Sequence, residues 1–210
     1  MLVPSPGTRD KQDKPNMKSQ DIGLLLKLRA MEISQKRAGT LEQEADESLT
    51  SDQALYDFTA RGLEVETGIS KTQLNLALNR CLDVGLAYRD RQTGMPRANA
   101  QALFDFIVHG VRYVFPARKG ELTRGTATAF SAPMLRSRLL NAGELELVWP
   151  DAYGKTMGQA VEPLFKSCPQ AVERDPLLYE LLALVDAVRL GQPRERKLAI
   201  ELLHERLVAG

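Results

Sequence analysis

Residues 60–90, ARGLEVETGISKTQLNLALNRCLDVGLAYRD, form the stretch whose reading decides the fold. Thr67-Gly68-Ile69-Ser70 separates two short helical patterns, and a turn of three to four residues containing glycine sets two helices at a steep angle. Gly68 can take a positive φ without a Cβ penalty, Ile69 can plug the corner, and Ser70 can cap the second helix. Gln73 follows at the spacing of a capping box. From Lys71 to about Val84, Leu74, Ala77, Leu78, Cys81 and Leu82 share one face at helical spacing. Lys71, Thr72, Gln73, Asn75, Asn79 and Arg80 are thereby predicted to face outward.

That outward set suits base reading. Gln and Asn offer the paired donor and acceptor that match adenine in the major groove, Lys and Arg match guanine or phosphate, and Thr does either. Gly85 stands where a helix C-cap belongs. Leu86 to Arg89 then reads as a short strand, Asp90 to Gly94 as a polar turn, and Pro96-Arg97 as a return strand. Arg89, Arg91 and Arg97 fall on this hairpin, where cations engage phosphates or the minor groove.

Through TGISKTQLNLALNRCLDVGLAYR, residues 67–89, the chain resembles bacterial winged helix-turn-helix transcriptional regulators of the broad MarR-like or IclR-like kind. The resemblance covers about a third of the chain. It implies that the helix matching Lys71 to Val84 enters the major groove and that the hairpin matching Leu86 to Arg97 is the wing. Two departures stand out: the helix is not strongly cationic, and a long acidic connection precedes residue 51.

Outward from this segment, residues 1–17 are polar and proline-bearing and predict a disordered tail, with Met17 reading as a second start. Ser19 to about Ser34 predicts an amphipathic helix capped by Ser19 or Asp21, with Ile22, Leu25, Leu26 and Ile33 on its apolar face. Another helix is expected from Ser51, and another from Ala98 to Val114, stopped by Pro116. Residues 117–143 lack a sustained period and read as loop or irregular helix, with Ala132 to Leu140 the best helical candidate. Leu145 to Trp149 alternates like a half-buried strand, and Asp175 to Leu190 and Pro193 to Val208 read as closing helices. The expected architecture is mainly α: a winged helix domain over 18–116 and a smaller helical unit over 117–210.

Composition narrows the function classes. Apolar residues make 43% of the 210-residue chain, enough for a core, and a net charge of +1 argues against a general polyanion binder. Its middle is nonetheless basic, with nine Lys and Arg against four Asp and Glu from residue 71 to 124. No apolar run reaches bilayer length and the N-terminus lacks a signal-peptide core, so no membrane partner is expected and the cytoplasm is the expected compartment. Cys81 and Cys168 lie far apart and read as buried hydrophobes.

No cofactor, metal or catalytic constellation is expected. Gly154-Lys155-Thr156 ends like a phosphate loop, but Trp149 stands where its first glycine belongs. His109 and His204 lack metal-ligand spacing, and Asp105 near His109 has no accompanying nucleophile motif. Arg118 to Pro133 reads equally as a phosphate or partner contact and as a solvated linker, whereas Arg189, Arg194 and Arg196 with Asp186 read as surface ion pairs at the helix junction, with a partner-binding patch as the alternative.

The leading expectation is a homodimeric, sequence-specific regulator bound to double-stranded DNA. A second is an antitoxin or adaptor with a partner-binding C-terminal region, which loosely resembles AbiEi-type antitoxins in architecture. A third is an effector sensor whose pocket would be lined by Trp149, Tyr153 and Phe165.

Overall fold

The computed structural model describes residues 16–41, 58–136 and 145–209, with side chains described through residue 37 in the first of these segments. The expected tail, most of the acidic connection, the helix opening at Ser51 and the far end of the Ala132 to Leu140 candidate lie outside the described residues.

The chain is mainly helical. In order come α1 (Ser19–Leu41), α2 (Ala60–Thr67), α3 (Lys71–Asp83), β1 (Ala87–Arg89), β2 (Pro96–Ala98), α4 (Ala100–His109) and α5 (Val111–Val114). The second half holds β3 (Lys119–Ala127), a 3-10 turn (Ala129–Ser131), α6 (Pro133–Arg136), β4 (Leu147–Pro150), β5 (Thr156–Val161), α7 (Cys168–Arg174), α8 (Pro176–Leu190) and α9 (Pro193–Leu207).

Helix α1 is more central than a one-faced amphipathic pattern implies: every residue from Asp21 to Ala30 is buried, because α3, β2 and α8 pack around it. A helix buried on all sides must satisfy its own charges internally. Asp21 accepts both arms of Arg80 from α3, and Lys27 pairs with Glu66 of α2 at 3.0 Å and with Asp175 at 2.9 Å. Arg29 donates to the Leu207 carbonyl and pairs with Glu32, whose other oxygen accepts the Ala98 amide of β2. Gly23 opens the space that the Phe165 ring fills, since a Cβ there would lie 2.5 Å from it.

These contacts join the two halves of the chain. One continuous apolar cluster runs from Ile22, Leu63, Leu74 and Ile107 to Trp149, Phe165, Leu181 and Leu203. Residues 18–116 and 117–210 therefore share a core.

Lys119–Ala127 departs from the expectation of loop or irregular helix, whereas the short helix Pro133–Arg136 falls within the Ala132 to Leu140 candidate. Strand β3 pairs antiparallel with both β4 and β5, and β4 pairs parallel with β5, closing a three-stranded ring. Glycines permit so tight a ring: a Cβ on Gly125 would sit 2.0 Å from the Trp149 carbonyl oxygen, and one on Gly158 2.4 Å from that of Glu146. The surface reading of Asp186 and Arg189 is also corrected. Both are buried, and Asp186 accepts from Arg189 (2.6 Å), Trp149 Nε1 (2.6 Å) and Thr128 (2.9 Å). Burial on α8 leaves these groups one another as partners instead of water.

Candidate nucleic-acid interface

The turn between α2 and α3 is built from local backbone chemistry. Thr59 caps α2 by accepting the Gly62 amide, and Gly68 ends it at φ 67°. Ile69 is buried at the corner, and the Ser167 hydroxyl donates to the Thr67 carbonyl, fastening the turn to the second half. The expected capping box at Ser70 and Gln73 does not form. The Lys71 amide donates instead to Glu64 Oε1 of α2, and Gln73 Oε1 accepts from Gln20 Nε2 of α1 at 3.1 Å.

Helix α3 ends in a Schellman motif: the Leu86 amide donates to the Cys81 carbonyl and the Gly85 amide to that of Leu82, with Gly85 at φ 76°. The chain then enters the β1–β2 hairpin, paired Ala87 with Ala98, Tyr88 with Arg97 and Arg89 with Pro96. Its tip is folded by Asp90, whose carboxylate accepts from the backbone of Gln92 and Thr93 and from the Thr93 hydroxyl. These bonds, the Thr93 amide first, hold the Asp90 carboxyl below the usual carboxylate range.

The residues expected to face outward divide into two groups. Lys71, Thr72, Asn75 and Asn79 are exposed along α3, and Arg89 and Arg91 are exposed on the hairpin. Gln73 is half-buried against Gln20. Arg97 is half-buried with its guanidinium 5.0 Å over the Phe58 ring. Arg80 does not face outward: its side chain is 14% exposed and clamps the fully buried Asp21 at 2.8 and 2.6 Å. Those hydrogen bonds, opposed by desolvation, raise the Arg80 pKa. At i, i+3 spacing from Ala77, Arg80 lies at the edge of the packed face, and its long stem reaches under α3 to the Asp21 carboxylate.

Leu76, 47% exposed among the polar residues of α3, falls outside the outward set that the spacing predicts. Its signal was present: it falls off the face of Leu74, Ala77 and Cys81, and an apolar side chain there can contact a thymine methyl. Cys81, under the helix, has its thiol pushed up to about 12 by burial, consistent with a packing role. The expected pocket residues are not brought together as one lining. Trp149 is buried and bonded to Asp186, Phe165 packs against Gly23, and Tyr153 is 89% exposed.

Among the described residues, no group of three or more His, Cys, Asp and Glu is placed to hold a metal, and no helix is long and apolar enough to cross a membrane. Comparison with models of known protein families, with curated proteins and with solved structures returns no match to this chain.

Proposed function

We propose that this chain is a sequence-selective, non-enzymatic regulator that binds double-stranded DNA through a winged helix, with α3 in the major groove and the β1–β2 hairpin as its wing. The observation that carries the reading is the exposed Lys71, Thr72, Asn75 and Asn79 face of α3, continued by exposed Arg89 and Arg91. Thr72, Asn75 and Asn79 present base-reading groups, while Lys71, Arg89 and Arg91 supply phosphate contacts. Gln73 reaches a base only by releasing Gln20. The chain acts in the cytoplasm as a homodimer, placing two copies of α3 about one helical turn of DNA apart.

Binding to the DNA upstream of its own reading frame, measured against random duplex over a salt series, tests this. The native chain should prefer its own upstream duplex. Asn75→Ala should cost about 1–3 kcal/mol and relax the preference at one base position. Equal affinity for both duplexes would sink the proposal.

A second reading, an adaptor that joins the DNA-binding part to a protein partner, is favoured by the β3–β5 ribbon. Leu122 and Met157 are exposed on it beside Arg124. Under this reading, the product of the adjacent gene binds the full chain, and Leu122→Lys abolishes that complex without weakening DNA binding.

A further inference from the structure

We propose that the groove between the α2–α3 turn and residues 162–167 binds a small organic anion with an apolar body, and that its occupancy holds Gln73 away from DNA. The second clause rests on the proposed function; the first does not.

The groove has a volume of about 630 Å³, within the range of small-molecule sites. Ile69, Phe115, Leu164 and Phe165 supply apolar lining, suited to an aromatic or branched body. Lys18 and Lys166 stand on the lining as exposed cations, and neither makes an ion pair among the described residues. Glu162 is the acidic residue among those lining the groove. Buried or half-buried cations elsewhere are held by fixed partners, as Lys27, Arg80 and Arg189 show. A surplus of positive charge over an apolar lining fits a carboxylate or sulfonate attached to a ring better than a sugar or a cation.

Gln20 and Gln73 connect this groove to the proposed DNA face. Both line it, and Gln20 Nε2 donates to Gln73 Oε1 at 3.1 Å. An anion there can accept from both amide NH₂ groups, which turns the Gln73 side chain to the groove side of α3. Asn75 and Asn79, exposed farther along the helix, are not in the lining. The ligand thus weakens one part of the readout and leaves the rest in place.

The probe is 8-anilinonaphthalene-1-sulfonate, titrated into the full chain without DNA and followed by its fluorescence. N-phenyl-1-naphthylamine, which lacks the sulfonate, is the neutral control. The native chain should bind the sulfonate saturably at one site. Lys166→Gln should raise its Kd about three- to tenfold, and Lys18→Gln/Lys166→Gln should raise it further, with the neutral probe unaffected. Unchanged thermal melts would show that the variants fold. Sulfonate binding indifferent to both lysines, or equal losses for the two probes, overturns the site.

With the upstream duplex present, saturating sulfonate should lower the affinity of the native chain and leave that of Gln73→Ala unchanged. Lysine-dependent binding with no effect on duplex affinity overturns the regulatory clause. A chain that binds the sulfonate through its lysines but no duplex supports the site while the proposed function fails.

Discussion

Residues 21–30 of α1 and 181–189 of α8 are buried throughout, yet the two helices accommodate charge in different ways. α1 spreads it: Asp21 goes to α3, Lys27 to α2 and to the residue before α8, Arg29 to the end of α9, and Glu32 to the hairpin. α8 concentrates it. Asp186 and Arg189 pair at i, i+3 as Arg29 and Glu32 do on α1, but the α8 pair also collects Trp149, Thr128 and the carbonyls of Phe115 and Glu162. Spread charges orient separate elements about one axis. A concentrated pair makes many buried groups depend on one carboxylate.

The largest expected effect comes from that dependence. Asp186→Ala leaves the Arg189 guanidinium, the Trp149 Nε1–H and the Thr128 hydroxyl without their shared acceptor. It should cost about 3–5 kcal/mol, measured by urea unfolding. Asp186→Asn, which keeps one acceptor oxygen and removes the charge, should fall between it and the native chain. If Asp21→Ala costs as much as Asp186→Ala, the distinction between spread and concentrated charge is broken.

A smaller effect separates structural from surface cations. Arg80→Ala removes two hydrogen bonds to the buried Asp21 and should destabilise the chain by about 1.5–3 kcal/mol, with no change in the salt slope of DNA binding. Arg91→Gln should move stability by less than about 0.5 kcal/mol and flatten that slope by about one. An Arg80 variant that unfolds like the native chain and flattens the slope would return Arg80 to the DNA face.

The same contrast explains what was legible in the sequence. The α2–α3 turn, the buried Leu74, Ala77 and Cys81, the two hairpin strands and the two closing helices follow from local rules of period, glycine and proline. Arg80 does not, because its partner Asp21 is 59 positions away and periodicity reports which face a residue occupies, not what its side chain reaches. Nor does Gln73, drawn to Gln20 where local geometry pointed to a capping box. The β3–β4–β5 ring was hidden for another reason: Gly125, Gly154 and Gly158 allow backbones to touch, and glycine-rich sequence without alternation looks like loop. Asp186 and Arg189 resemble an ordinary surface pair at i, i+3 until burial is known.

The smallest effect tests how far the α8 cluster extends. Tyr179 packs its ring 5.9 Å from Trp149, and its hydroxyl donates to the Ala127 carbonyl at 2.6 Å. Burial first, then the nearby Cys168, pushes the phenol from 10.0 up to about 12. A folded pKa above the unfolded one means that this group's stabilisation is whole below about pH 10 and is lost as pH rises toward 12. Tyr179→Phe should therefore lose about 1 kcal/mol at neutral pH, the net worth of one hydrogen bond, and the gap from the native chain should close with rising pH. Urea midpoints of both chains at pH 8, 10 and 11 measure that closure, because the other titrating groups are common to the two. A gap that stays constant with pH would mean that the phenol titrates alike in both states. If the gap instead disappears at neutral pH in an Asp186→Asn background, Tyr179 belongs to the concentrated cluster, which the carboxylate links to it through the Trp149 ring and through Thr128, the neighbour of Ala127.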